Sequence, residues 1–294
     1  MSTVGEIISR VFRDYLEAPD DQPTRASLAA AMSSSETTLQ YTQTYLSAEE
    51  EQLFGPGIII EIDSEEIMVG GIDVETNTLT GLRRAMNGTD SNPHAIDTII
   101  TLAPMWRRKS VFDAVADAIV GLYPELYGVT ESASITLSTA GPTEVPADVA
   151  RPLWFYGRSS TTASDWEPHS VTFYDRFPGS TTGKAIVTTA TGNGYLVYAK
   201  KFTMPTSESV SLASLGVEPQ WEHLVVLGAA IHLISSKEFD AIGNEFLINQ
   251  LKSQGFPTGS ASRVRDGMIR HYERLLAKAE EELNTRYMTP VIWQ

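Results

Sequence analysis

Gly57-Ile-Ile-Ile-Glu-Ile62, then Glu65-Glu-Ile-Met-Val69, Leu79-Thr80, Arg84-Ala-Met-Asn-Gly-Thr89 and Pro93-His94 form the stretch that decides the fold. Alternation in Ile60-Glu61-Ile62 and the break at Gly70-Gly71 predict short antiparallel strands joined by tight turns. Asn77 supplies a further turn, and Asn87-Gly88 the positive-φ positions of a compact loop. A small β-barrel-like module over residues 55–109 is therefore expected. Any such barrel needs apolar strands and Gly-containing turns, and Arg84 with His94 can serve as surface residues hydrogen-bonded to loop backbone. His94 has no second His or acidic partner at ligand spacing, so a structural role is expected rather than a metal ligand or a catalytic base.

A chain of 294 residues, 42 % of them apolar, has room for one large domain or several smaller ones with sizeable cores. It contains no cysteine, which excludes disulfides, thiolate metal sites and thiol nucleophiles and suits assembly in a reducing cytoplasm. No apolar run reaches the roughly 20 residues of a membrane helix, and Met1-Ser-Thr-Val-Gly-Glu6 lacks the features of a signal peptide. A soluble protein without a membrane partner is expected. The net charge of −15 is spread along the chain. That opposes wrapping of nucleic acid, which requires Lys and Arg against phosphates. It does not oppose a passage along which DNA slides without sticking, although solubility alone accounts for such charge.

Upstream of the module, Ile7, Ile8, Val11, Phe12 and Leu16 have helical spacing, and Pro19, Pro23 and a polar run break the pattern. Residues 1–54 thus read as a helix and an arm, with a short helical turn over Ser27 to Met32. Ser110, with Asp113 three residues on, predicts the capped start of a helix in 110–128, interrupted at Pro124 and ended by Gly128. From 129 to 214, Ser132 to Ser138, Pro152 to Tyr156, Val171 to Tyr174, Ala185 to Thr189 and Gly194 to Ala199 read as short strands of a β-sandwich-like insertion. Residues 215–286 are helical: one helix after Pro219, apolar nearly all round, one starting at Ser236, and one starting at Ser262 with Met268, Tyr272, Leu275, Leu276, Ala279 and Leu283 on its face. Residues 287–294 form an extended tail that cannot continue the helix past Pro290. Pro290, Val291, Ile292, Trp293 and Gln294 are its candidate partner-binding residues, tucked on their own domain or inserted into a partner. The fold class is α+β, a C-terminal helical bundle carrying the small β-module and the inserted β-domain.

No catalytic or metal site and no cofactor is predicted. Asp165, Glu167 and His169 are close in sequence, but spacing past Pro168 does not set three ligands converging. Gly179-Ser-Thr-Thr-Gly183-Lys-Ala185 departs from the phosphate-loop pattern in its glycine spacing and in ending on Ala, so a hairpin turn is expected. His223 and His232 are too far apart on one helix to share a metal. Glu65 and Glu66 are neighbours on a strand and face opposite ways, which makes no acid–base dyad.

Two resemblances add to this. The order of pieces in the β-module resembles one common in virion proteins of tailed bacteriophages, an isoleucine-rich strand before E-x-M-x-V, a turn, L-T, R-G-x-x-G-T and a His five residues after the Thr. Glu66, Met68, Leu79, Arg84, Gly88, Thr89 and His94 match, while Ala85 stands where the first Gly is usual. The segment from Glu218 to Ala230, with Glu222-His-Leu-Val-Val-Leu-Gly-Ala-Ala230, is similar to the helical core of phage head-to-tail connector proteins. The resemblance implies a structural virion protein of the neck, not an enzyme: an adaptor ring, commonly dodecameric, beneath the portal. It implies as partners the portal protein, the next neck or tail protein, further copies of itself, and DNA that passes without specific binding. It also implies assembly in the host cytoplasm and a C-terminal extension that reaches into the portal. Two alternatives stay open: another tail or baseplate structural protein, and a glycan-binding module using Trp154, Tyr156, Trp166, Tyr174 and Tyr198.

Overall fold

A computed structural model of the chain describes residues 2–16, 25–42, 55–102, 106–138, 141–158, 166–178, 180–242 and 260–287. The protein is mixed α plus β and divides into two compact units, Ile8–Ala114 and Met1–Ile7 with Val115–Gln294.

The Ile8–Ala114 unit contains a curled, antiparallel half-barrel sheet of seven strands. They are β1 (Arg25–Leu28), β2 (Leu39–Thr42), β3 (Ile59–Ile62), β4 (Glu65–Met68), β5 (Gly71–Asp73), β6 (Thr78–Thr80) and β7 (Ile99–Leu102), in the order β4-β3-β7-β1-β2-β6-β5. Strands β3 and β4 form a hairpin around Asp63-Ser64, with Asp63 at φ 54°, and the β5–β6 turn ends on Asn77 at φ 50°. The curl arises at the glycine pair. Met68 exchanges backbone hydrogen bonds with Arg83 just beyond β6, and Gly70 N–H donates to the Thr80 carbonyl at 3.1 Å. At Gly70 a Cβ would stand 2.6 Å from the Gly81 carbonyl oxygen, so only glycine lets the backbones approach this closely. The period-two pattern then fills the inside: Leu28, Tyr41, Ile60, Ile62, Ile67, Leu79 and Ile100 are fully buried in one cluster. Each such side chain contributes on the order of 1.5–3 kcal/mol of burial free energy.

Two strands of this sheet come from the region read as an arm. Ser27 and Leu28 lie in β1, which pairs with β2 on one side and β7 on the other, and Met32 makes an isolated bridge with His94. The expected helical turn over Ser27 to Met32 is thus a strand and its exit. Pairing with β7 along Arg25 to Ser27 and with β2 at Ser27 and Leu28 gives this backbone partners that a single helical turn cannot. The opening helix α1 (Val4–Tyr15) is present, buries Val4, Ile7, Ile8, Val11 and Phe12, and starts with a reciprocal Thr3–Glu6 capping box.

The next helix, α2 (Arg108–Val120), begins two residues before Ser110. The Arg108 N–H donates to Glu61 Oε2 at 2.8 Å, so a carboxylate from β3 replaces the expected Ser110 cap, and Asp113 pairs with Lys109 instead. The helix stops at Val120, before Pro124, and Gly128 opens a strand.

In the second unit, β8 (Gly128–Glu131), β11 (Val149–Arg158), β12 (Glu167–His169) and β15 (Thr191–Lys200) order as β12-β11-β15-β8, and the short β9 (Ile135–Thr136) adds to β15. A three-stranded sheet, β10-β14-β13, uses Thr143–Glu144, Ala185–Thr188 and Val171–Tyr174. Val149, Phe155, Leu196 and Tyr198 of the first sheet share one core with Ile186 of the second. Phe155 lies so close to Gly194 that a Cβ there would be 2.0 Å from its ring. Helix α3 (Glu222–Ile242) comes after a 3-10 turn at Pro219–Trp221 and buries Leu224, Val225, Val226, Leu227, Ala229, Ala230 and Leu233. It runs unbroken through Ser236, the expected start of a separate helix: with neither proline nor glycine there, a serine alone does not end a helix. Helix α4 (Ser260–Arg286) buries Ala279 and Leu283, while Met268, Tyr272, Leu275 and Leu276 are half-buried. The rest of the helix expected from Ser236, beyond Ile242, and the tail residues Pro290 to Gln294 lie outside the described residues.

Candidate functional site

The residues singled out in the β-module meet around the loop after Arg83. Ala85 takes the left-handed conformation (φ 55°, ψ 43°), a 3-10 turn spans Met86–Gly88, and Asn87 and Gly88 also have positive φ, at 53° and 81°. A loop so far from regular geometry needs external anchors, and the two carboxylates of β4 provide them.

Glu65 is fully buried. Arg84 clamps it from two sides, Nε to Oε1 and Nη2 to Oε2, both at 2.6 Å. The same guanidinium donates to the carbonyls of Ser33 at 2.8 Å and Asn92 at 2.6 Å, so one side chain ties three segments together. Glu65 further accepts the backbone N–H groups of Ala85 at 3.0 Å and Asn92 at 3.2 Å. His94, also buried, stands between two carboxylates: its Nε2 is 2.9 Å from Glu65 Oε2 and its Nδ1 is 2.8 Å from Asp63 Oδ2. Burial pushes the Glu65 carboxyl up, but Arg84, His94 and the two N–H groups outweigh it and hold the group below the usual carboxylate range.

Glu66 anchors the other side of the loop. Its N–H donates to Thr89 Oγ1 at 3.1 Å, Thr89 in turn donates to the Met86 carbonyl at 2.8 Å, and Asn87 Nδ2 donates to Glu66 Oε2 at 2.5 Å. Arg107 reaches the same oxygen at 3.3 Å. Directly across the strand pair from Glu66 is Glu61. Burial, with the Glu66 charge adding to it, pushes Glu61 up to about 7, although the Arg108 N–H pulls the other way.

Glu66, Met68, Arg84, Gly88, Thr89 and His94 are thus brought together, Met68 through its backbone bridge to Arg83. Arg84 and His94 are not surface residues: the Arg84 side chain is 9 % exposed and that of His94 1 %. Asp63, Glu65 and Asn92 were missed. Glu65 and Glu66 do face opposite ways, but both faces are covered, and the signal was two carboxylates beside an apolar run with an Arg and a His downstream. With its oxygens committed to fixed donors, Glu65 acts as a strut and not as an acid or base.

The remaining candidates do not assemble. Glu144 fills the loop that resembles a phosphate cradle, accepting from Ser180 Oγ at 2.9 Å, Thr181 Oγ1 at 2.5 Å and the Thr182 N–H at 2.6 Å. These donors, Thr181 foremost, bring its carboxyl down to about 2. The position a phosphate would take is occupied by the protein's own anion. His169 Nδ1 lies 3.3 Å from Thr189 Oγ1, Glu167 is exposed, and Asp165 lies outside the described residues. His232 is 4.0 Å from Asp117 beside an open groove of about 620 Å³ lined also by Gly228, Tyr272 and Glu273. Among the described residues no group of three or more His, Asp or Glu side chains is placed to hold a metal ion, and no helix is long and apolar enough to cross a membrane.

Compared with known proteins, the chain matches no protein-family model and no curated protein sequence.

Proposed function

We propose that this chain is a structural virion protein of a tailed bacteriophage, a head-to-tail adaptor that forms a ring beneath the portal and joins capsid to tail. The observation that carries this reading is the strut. Glu66, Met68, Arg84, Gly88, Thr89 and His94, on which the resemblance to the phage β-module rests, converge on one loop and one strand. Contacts among these residues support reading them as one module.

The finer architecture fits the same proposal. In the proposed ring, helices α3 and α4 with the second half of α2 bundle against neighbouring copies, and the two sheets around Phe155 and Ile186, as a sandwich-like insertion, present loops to the next neck or tail protein. Pro290 to Gln294 engage the portal. The net charge of −15 keeps phosphate from sticking while DNA passes. No catalytic step, metal or cofactor enters.

The glycan-binding alternative has one specific support, the exposure of Trp166 at 42 % and Tyr174 at 41 %. Tyr198, in contrast, is buried and donates to Asp148.

Native mass spectrometry of the chain, alone and mixed with the portal of the same phage, tests the proposal. The expected result is a dodecameric complex that forms only with portal and is lost when residues 290–294 are removed. A monomer or trimer indifferent to portal would overturn it.

A further inference from the structure

Along β11, Leu153, Phe155 and Gly157 are buried, and Trp154, Tyr156 and Arg158 are half-buried on the opposite face. Tyr156 pairs with Tyr195 of β15 on one side and with Pro168 of β12 on the other, so three rings lie in one cross-strand row. Trp166, just before β12, leans on Tyr195 with ring centroids 5.1 Å apart and is 42 % exposed. Trp154 extends the row: it meets Tyr156 edge to face at 6.1 Å and is itself met by Tyr287 at 6.0 Å, which bounds that end.

The polar groups of this face are unused. The Arg158 guanidinium lies over the Trp166 ring at 5.0 Å, which fixes its plane without engaging a donor. Among the described residues it makes no hydrogen bond and no ion pair; its Nε is buried and its two Nη groups are not. The hydroxyls of Tyr156 and Tyr195 are likewise neither hydrogen-bonded nor buried. Elsewhere in the same sheet such groups are engaged: Tyr198 donates to Asp148 at 3.0 Å, and Lys200 stands 4.0 Å from the same carboxylate. A half-buried guanidinium without a carboxylate has lost part of its solvation and gained no partner, so an anionic oxygen pair brought by a ligand finds a fork already in place.

The ligand class follows from ring and charge together. Neighbouring aromatic rings on a sheet face stack on rings, and a guanidinium beside them takes a carboxylate in two parallel hydrogen bonds. A sugar acid supplies both, an apolar C–H face and a carboxylate, with hydroxyls for Tyr156 and Tyr195. Single-stranded nucleic acid also stacks on aromatics, but it brings a phosphate at every nucleotide. The next cation on β11 is Arg151, seven residues away or about 23 Å along a strand, and it lies over Tyr127 at 4.8 Å. Glu131 stands opposite Val197 on the same face. One cation in a chain of net charge −15 matches one carboxylate and not a run of phosphates.

We propose that Trp166, Tyr195, Tyr156 and Arg158 form a binding site for an acidic saccharide, its ring stacked on the aromatic row and its carboxylate held by the Arg158 Nη groups. The site goes beyond the adaptor reading and does not depend on it: it lies on one sheet face, needs no second copy and carries out no chemistry.

Titration calorimetry on the full chain tests it with acidic probes (oligogalacturonate, oligomannuronate and sialyllactose), with neutral chitotriose, and with single-stranded oligothymidylate. The expected result is saturable binding of at least one acidic sugar, weakened by salt only as a single ion pair demands, with a slope of about one on logarithmic axes. Trp166→Ala, at an exposed position, is expected to weaken that binding about tenfold or more. Arg158→Gln should weaken it about tenfold, and Arg158→Lys, which keeps the charge but not the fork, should recover only part of the loss. Near-ultraviolet circular dichroism checks the fold of each variant, and the two Arg158 variants still read the site if Trp166→Ala unfolds. No saturable binding of any acidic probe at about millimolar concentration would overturn the site. So would binding that Trp166→Ala and Arg158→Gln leave unchanged, or chitotriose bound as well as the acids. Oligothymidylate bound more tightly than the sugars, with a steep salt dependence, would assign the face to nucleic acid instead. Because the readout needs no portal, failure here and failure of the adaptor reading are separate results.

Discussion

The half-barrel of the Ile8–Ala114 unit and the β11–β15 sheet of the other unit are both antiparallel, yet opposite chemistry fixes their irregular parts. In the half-barrel, a loop with three non-helical left-handed residues is held by buried charge: Arg84 on Glu65, His94 between Glu65 and Asp63, Asn87 on Glu66. In the β11–β15 sheet the irregularity is three register shifts, and the fixing contacts are apolar, with Phe155 pressed on Gly194 and against Gly157. A loop has many backbone donors and acceptors to satisfy, and a carboxylate can accept several at once. A bulged strand keeps most of its ladder, so shape alone can hold it. The charged region should therefore respond strongly to loss of one partner and to pH, and the apolar region to added volume.

Glu65→Ala is expected to do the most damage. It leaves Arg84 buried without its carboxylate and strands the N–H groups of Ala85 and Asn92, a loss of about 3–5 kcal/mol by the rule for broken buried ion pairs. Urea unfolding measures the loss, and hydrogen exchange should show the loop after Arg83 opening first. A change below about 1 kcal/mol would mean that the pair behaves as a surface salt bridge and that the contrast between the regions is empty.

Gly194→Ala comes next. The new methyl group has no space while Phe155 keeps its rotamer, so the ring must leave the core, at about 1–3 kcal/mol or somewhat more. Phe155→Leu in the same chain should recover part of that loss, because the shorter side chain leaves room. Thermal unfolding of the two single variants and the double variant reads the coupling. Additive losses would show that the two residues do not compete for the same space.

The carboxylates of β3 and β4 give a finer test, since they depend on pH in opposite senses. Glu65 is held below its ordinary range, so its contribution is present above the unfolded value and is lost as acid approaches the folded one. Glu61 is raised from 4.5 to about 7, so its protonated form is favoured on folding. Its contribution is complete below about 4.5 and disappears as pH rises through about 7. Glu61→Gln keeps an acceptor for the Arg108 N–H and cannot ionise. It should be close to neutral at pH 4 and stabilise by up to about 2–3 kcal/mol at pH 8. Stability curves across that interval decide it, and a pH-independent difference would show that Glu61 ionises freely where it stands.

How far the sequence carried depended on how local each cause is. The hairpins between Ile59 and Thr80 were legible because period-two burial and the turn residues Asn77 and Gly70-Gly71 lie within the segment they shape. The helix over Val4 to Tyr15 was legible for the same reason. Strand β1 was not, since what makes Arg25 to Leu28 a strand is pairing to β7, more than seventy residues on. The start of α2 was misplaced because its cap is Glu61, distant in sequence, and no local pattern announces it. Glu66, Arg84 and His94 were found by their order in a pattern, but the pattern is blind to Glu65. A residue that gathers partners from positions 84, 85, 92 and 94 identifies itself only once those positions are folded together.

The smallest expected effect bears on Ala85, which stands where the resembling β-modules carry glycine. Its backbone is left-handed, φ 55° and ψ 43°, and an L side chain in that region costs about 1–2 kcal/mol. The conformation is imposed, because the Ala85 N–H must point at Glu65 Oε1 while Arg84 grips the same carboxylate. Ala85→Gly removes the steric cost and adds back about 0.5–1 kcal/mol of chain entropy. The net expectation is a gain of about 0.5–1 kcal/mol, read as a higher urea midpoint with unchanged slope. In the Glu65→Ala background the same substitution should give less, since a loop without its anchor no longer has to hold that conformation. An equal gain in both backgrounds would show that the strain belongs to the turn itself and that the strut merely accompanies it.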